Sequence, residues 1–166
     1  MILYRLRMDS AQKSKADVYA EVEAKLREYF SRYEEGDYAG IIENVYAPPI
    51  NIGLSNARGH IMNAEDAMNN LTGLKKRTRE DGWVASPITS INTHILTEGL
   101  VFADLSYRRR KAGDDPETQD VSIVYVLQDL DKKGWRVTSF YMRDQNKPVV
   151  MPNQSLLRYP VSKGWG

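Results

Sequence analysis

The side chains in this sequence best suited to moving protons are concentrated between Ile88 and Arg110. Two runs rich in Val, Ile, Thr and Phe are separated there by Leu96-Thr97-Glu98-Gly99-Leu100, the pattern of a hairpin. A three-residue loop with Gly99 left-handed spares Glu98 a positive φ and pairs Leu96 with Leu100. Stepping back by twos then puts Ser90, Asn92 and His94 on one face with Phe102, Asp104, Ser106 and Arg108. Ile91, Ile95, Val101, Ala103, Leu105 and Tyr107 take the other. If the polar face lines a cavity, Asp104 is a base or an orienting acid and His94 its partner, with Asn92 or Arg108 stabilising developing negative charge. Burial between Phe102, Ala103 and Leu105 would raise the Asp104 pKa toward neutrality. If that face points outward, the same residues are solvent or subunit contacts, as on any half-exposed sheet.

A second set of candidates is aromatic. Tyr33, Tyr46, Tyr125 and Tyr141 can each bury a ring and offer one hydroxyl, so with Asn92, Phe102 and Arg108 they form the candidate ligand contacts. His60 sits beside a turn and reads as exposed. Asp37 reads as a helix cap. The basic run Lys75-Lys76-Arg77-Thr78-Arg79 falls at a helix C-terminus, where the macrodipole favours cations, and reads as a solvated end rather than a phosphate clamp. Arg108-Arg109-Arg110 and the acidic loop Asp114 to Glu117 read as mutually neutralising charges at one hairpin tip. Two histidines in unrelated contexts and no cysteine give no metal site, and no glycine-rich phosphate loop or nucleophile elbow is present, so no cofactor is expected.

The elements that must position these groups are legible from periodicity. From about Ser10 to Glu34, Ala16, Val18, Tyr19, Val22, Ala24, Leu26, Tyr29, Phe30 and Tyr33 recur mostly at three- and four-residue steps, giving a long amphipathic helix. Gly36 stops it, Asp37 caps a second short helix, and Tyr46-Ala47-Pro48-Pro49 starts a strand. Pro49 to Asn63 reads as a hairpin, followed by a helix from Asn63 or Ala64 to about Arg79. Four strands follow, Ile88 to Leu96, Leu100 to Arg110, Val121 to Leu130 and Trp135 to Met142. Helices first and a meander after is an α+β arrangement.

At 166 residues the chain suits one domain with tails: a lead-in over 1–9, a domain over 10–143, and an apolar, proline-broken segment over 144–166 that packs on the domain or on a partner subunit. With 23 basic and 22 acidic side chains, the net charge of +1 gives no general attraction to phosphate backbones, which argues against nucleic acid as partner. The apolar start at Met1 to Leu6 is broken by charge too soon for a signal segment, and no later run suits a bilayer. The absence of cysteine fits a reducing cytoplasm.

Three motifs coincide: the Tyr-x-x-Gly-Asp junction from Tyr33 to Asp37, the Tyr46-Ala47-Pro48 strand entry, and the Gly134-Trp135-Arg136-Val137 opening of the last strand. Together they resemble the nuclear transport factor 2-like superfamily, which includes SnoaL-like cyclases and ketosteroid isomerases, over roughly Asp17 to Arg143. The resemblance implies a curved antiparallel sheet wrapped on the long helix as a cone, a pocket open at one end, a small apolar or amphipathic ligand, and a homodimer. It also locates each branch's catalytic set. The isomerase tyrosine and carboxylate positions hold Phe30 and Leu54, the cyclase aspartate position holds Leu127, and only Asp104 with Arg108 matches part of the epoxide hydrolase set. Two functions stay open: a small-molecule pocket, with or without isomerase-, cyclase- or hydrolase-type acid-base chemistry, and a non-catalytic dimerisation or protein-association module.

Overall fold

The computed structural model describes residues 13–54, 57–130 and 134–143. The lead-in over 1–9 and the segment over 144–166 lie outside the described residues.

The first helix, α1, spans Lys15–Glu35 and begins later than its apolar periodicity suggests. Ser14 sets the start through a capping box: its hydroxyl accepts from the Asp17 amide at 3.1 Å while the Asp17 carboxylate accepts from the Ser14 amide at 3.2 Å. Gly36, at φ 82°, ends the helix, and Asp37 caps α2 (Tyr38–Asn44) by accepting from the Gly40 amide at 2.9 Å. Two helical segments thus meet at one glycine-aspartate pair, as expected. The third helix, α3 (Ala64–Glu80), is capped by Asn63.

The strands are β1 (Tyr46–Gly53), β2 (Arg58–Ile61), β3 (Trp83–Ala85), β4 (Ile88–Thr97), β5 (Leu100–Lys111), β6 (Thr118–Asp129) and β7 (Trp135–Arg143). They form one curved, unclosed sheet in the order β2-β1-β7-β6-β5-β3, with β4 also on β5. All pairs are antiparallel except β1 with β7, which run parallel. The short strand β3, not foreseen from the sequence, pairs with Arg110 and Lys111 beyond the end of β4.

The turn between β4 and β5 is tighter than the loop expected. Thr97 pairs with Leu100 around Glu98-Gly99, the irregularity falls at Leu96, and Gly99 has no positive φ. The extra residue has moved from the loop into the strand, so the parity survives: His94 opposes Phe102, Asn92 opposes Asp104 and Ser90 opposes Ser106.

The core lies between α1 and the opposite face. Val18, Val22, Leu26 and Tyr29, at steps of four, four and three, pack with Val101, Ala103, Leu105, Leu127 and Val137. Trp135 closes one end by donating its indole N–H to Glu21 at 3.0 Å. The helices therefore cover the apolar face of the β4–β5 hairpin, and this decides where a cavity can form.

Candidate functional site

A cavity of about 750 Å³ opens between the helix-covered face of the sheet, the last turns of α1 and the side of α3. Its inner wall is aromatic. Tyr29 and Phe30 come from one turn of α1 and Tyr33 from the next, while Tyr107 on β5, Ile123 and Tyr125 on β6 and Phe140 on β7 arrive by strand alternation. The rings meet mostly edge-on or tilted: Phe30 with Tyr107 at 5.3 Å, Tyr29 with Phe30 at 5.5 Å, and Tyr125 with Phe140 at 5.9 Å between centroids. Behind this wall the buried Tyr46 hydroxyl donates to Tyr29 at 3.2 Å. Burial pushes the hydroxyls of Tyr29, Tyr46 and Tyr125 above the ordinary tyrosine range, so they remain neutral.

The Tyr33 hydroxyl is buried in the wall, where it makes no hydrogen bond of ordinary geometry among the described residues; the Thr78 hydroxyl is the polar group beside it. Its neighbour Thr78 donates its own hydroxyl to the Leu74 carbonyl at 2.8 Å. Burial also raises the Tyr33 pKa, leaving a neutral phenol that can donate or accept.

The outer end of the cavity is charged. Arg58 from β2, Lys75, Arg77 and Arg79 from α3, and Arg109 from β5 line it, with Glu34 as the single carboxylate. Lys75 Nζ sits 4.9 Å from the centroid of the Tyr33 ring and donates to the Tyr33 and Glu34 carbonyls at 3.4 Å each. Arg109 donates to the Tyr107 hydroxyl at 3.2 Å, with its guanidinium 5.7 Å from that ring's centroid. On the edge strand Trp83 lines the same opening, beneath Lys111 Nζ at 5.0 Å. Among the described residues, no three His, Asp or Glu side chains cluster as a metal would require.

Of the residues singled out from the sequence, Tyr33 and Tyr125 line this cavity, and Tyr46 stands one shell behind it against Tyr29. Asn92, His94, Phe102, Asp104, Arg108 and Tyr141 share the other face of the sheet, turned away from the helices, and none lines the cavity. The reading in which Asp104 and His94 act inside a pocket required the polar face to be the inner one. The apolar face is inner instead, because the α1 stripe can be buried only against Val101, Ala103, Leu105 and Tyr107. On the outer face Asp104 accepts two hydrogen bonds from Arg143, Arg108 pairs with Asp120 at 2.6 Å, and Tyr141 packs over Gly53. A Cβ on Gly53 would come within 2.3 Å of the Tyr141 ring. Phe102 lines a shallower groove of about 530 Å³ there, with Pro48, Pro49 and Val126. His60 is exposed, as expected, with Nδ1 3.0 Å from Asn51 Oδ1.

The basic run on α3, read from the sequence as a solvated helix end, stands on the cavity rim. Arg109 was also passed over, although a signal for it existed: it continues the inward parity of Leu105 and Tyr107. Arg58 and Trp83 carried no such signal, since a two-residue step along their own short strands says nothing about α3 lying opposite.

A long helix laid along a bent, unclosed sheet defines a cone-shaped α+β domain. The chain belongs to the family described as NTF2-like protein (DUF6841), whose model matches residues 20–145. In fold it is similar to an NTF2-like protein with a cystatin-like fold from Novosphingobium aromaticivorans, with TM-score 0.64 and 11% identity over 92% of this chain and 99% of that one. It is also similar to ActVI-ORFA from Streptomyces coelicolor, with TM-score 0.63 and 12% identity over 79% and 99%. A third relative in fold is a protein from Catenulispora acidiphila in complex with S-DNPA, with TM-score 0.60 and 14% identity over 77% and 95%. A search of curated proteins found no match. No helix among the described residues is long and apolar enough to cross a membrane.

Proposed function

We propose that this protein binds a small amphipathic molecule in the cavity between α1, α3 and the sheet, with a flat apolar body against the Tyr29, Phe30, Tyr107, Tyr125 and Phe140 rings. The observation that carries this reading is an aromatic cavity of about 750 Å³ in whose wall the buried Tyr33 hydroxyl makes no hydrogen bond of ordinary geometry among the described residues, with only the Thr78 hydroxyl beside it. A buried unsatisfied hydroxyl costs free energy in the empty protein, and a ligand oxygen or nitrogen beside it recovers that cost. Crystallisation of the Catenulispora acidiphila relative with a small molecule supports the same use of the fold. The cavity wall holds no histidine and only the exposed Glu34 as a carboxylate, so the reading is one of binding and orientation, without an assigned general base. Titration with the neutral fluorophore N-phenyl-1-naphthylamine tests it. Saturable one-to-one binding is expected, lost in Thr78→Trp, which fills the space beside Tyr33. Absence of saturable binding to the unaltered protein overturns the reading.

A homodimer formed through the outer sheet face is the second reading. It is favoured by the apolar Phe102, Val124, Val126 and Tyr141 standing among charges already closed in the pairs Asp104–Arg143 and Arg108–Asp120, a face with little net field to oppose a second copy. Light scattering gives the mass directly, and a monomer at micromolar concentration refutes it.

A further inference from the structure

The chain as a whole is nearly neutral, yet the wall of its cavity is not. Five cations, Arg58, Lys75, Arg77, Arg79 and Arg109, stand there against one carboxylate, Glu34. Elsewhere many cations are closed by carboxylates, among them Arg27 by Glu23, Arg32 by Glu28, Arg108 by Asp120 and Lys111 by Glu117. None of the five cavity cations has an ion pair among the described residues.

A helix C-terminus explains part of this, because the macrodipole favours Arg77 and Arg79 there. It does not explain Arg58 or Arg109, which come from two separate strands. Arg109 is the sharper case. It sits between Arg108 and Arg110 in sequence, and the alternation of β5 sends it alone into the cavity, half-buried, against Tyr107. Lys75 is similarly placed. Burial and the nearby Arg79 hold its amine below the ordinary lysine range, and Glu34 offsets this only in part. Unpaired like charges gathered at one opening repel each other, and a bound negative charge removes that repulsion.

We infer that the ligand of this cavity is an organic anion: an apolar ring body carrying an acidic group, which Arg109 and Lys75 meet at the outer end while the aromatic wall takes the body. The inference rests on the pocket reading above and adds the charge of the ligand to it. Arg109 offers a planar fork of N–H donors and Lys75 a point charge, the two kinds of donor that suit a carboxylate, sulfonate or phosphate oxygen.

Two probes of one skeleton test the charge separately from the pocket. 1-Anilinonaphthalene-8-sulfonate carries one sulfonate, and N-phenyl-1-naphthylamine lacks it. The anionic probe is expected to bind about tenfold or more tighter by calorimetry, and to weaken several-fold between about 50 mM and about 500 mM salt. Arg109→Gln and Lys75→Gln are each expected to weaken the anionic probe by about tenfold more than they weaken the neutral probe. Circular dichroism on each variant shows that it is folded. Equal binding of both probes, without salt dependence, overturns the charge inference and leaves the pocket reading standing. Failure of both probes to bind overturns the pocket reading itself. Loss of anionic binding only in variants that also lose the neutral probe overturns the inference too, since the residues would then be structural.

Discussion

Asp104 on β5 and Arg143 on β7 are joined across the intervening strand β6 by two hydrogen bonds, Nε to Oδ1 at 3.1 Å and a terminal guanidinium nitrogen to Oδ2 at 3.2 Å. Val124 is the residue of β6 opposite Asp104, and Ser122 is the one opposite Arg143, so the pair runs diagonally over three strands. Both side chains are mostly covered, at 15% and 20% exposure. This is the geometry of a sheet clamp. The carboxylate that looked most like a base in the sequence is occupied on the face opposite the cavity.

Asp104→Asn keeps the shape and removes the charge from this clamp. The expected cost is about 1–2 kcal/mol, that of a charge-assisted hydrogen bond reduced for partial exposure. Urea denaturation measures it. Binding of N-phenyl-1-naphthylamine should not change, and a loss of cavity binding at full stability would return Asp104 to the site.

Two of the tyrosine hydroxyls near the cavity are expected to respond in opposite directions. Tyr33→Phe removes a buried hydroxyl that makes no hydrogen bond of ordinary geometry among the described residues, so the ligand-free protein is unchanged or gains up to about 1 kcal/mol. Tyr46→Phe instead takes away the donor to the buried Tyr29 hydroxyl and costs about 1–2 kcal/mol. Denaturation midpoints of the two variants, compared at one pH, check the contrast. A marked destabilisation by Tyr33→Phe would reveal a partner for that hydroxyl.

Asp37 links acid sensitivity to the junction between α1 and α2. The Gly40 amide and the Arg32 guanidinium hold its carboxyl below the ordinary aspartate range. Its folded pKa therefore lies below the unfolded value of about 3.9, so its contribution is complete above that value and is lost as pH falls through the folded pKa. Asp37→Ala should melt at a lower temperature than the unaltered protein at neutral pH, and the gap should narrow as pH falls below the ordinary aspartate value. A gap independent of pH would show that the carboxylate charge plays no part in the cap.

Much of the architecture is written in local chemistry. Gly36 and Asp37 end one helix and begin another because the first tolerates the left-handed region and the second accepts an amide hydrogen, and neither property depends on the rest of the chain. The strand parity of the β4–β5 hairpin is equally local: it placed Asn92 with Asp104 and His94 with Phe102 even though the turn itself formed differently. The motifs around Tyr33, Tyr46 and Gly134 were enough to indicate the family. What they did not carry is the side of the sheet on which the helices lie. Parity separates two faces without saying which is covered, and the burial of the α1 stripe makes that choice only when the chain is folded. Arg58, Lys75 and Arg109 belong to elements distant in sequence, so their meeting at one opening is a product of the bent sheet and the position of α3. Tertiary packing, by burying the apolar face, put the polar set of the hairpin outside and turned a basic helix end into the rim of a cavity.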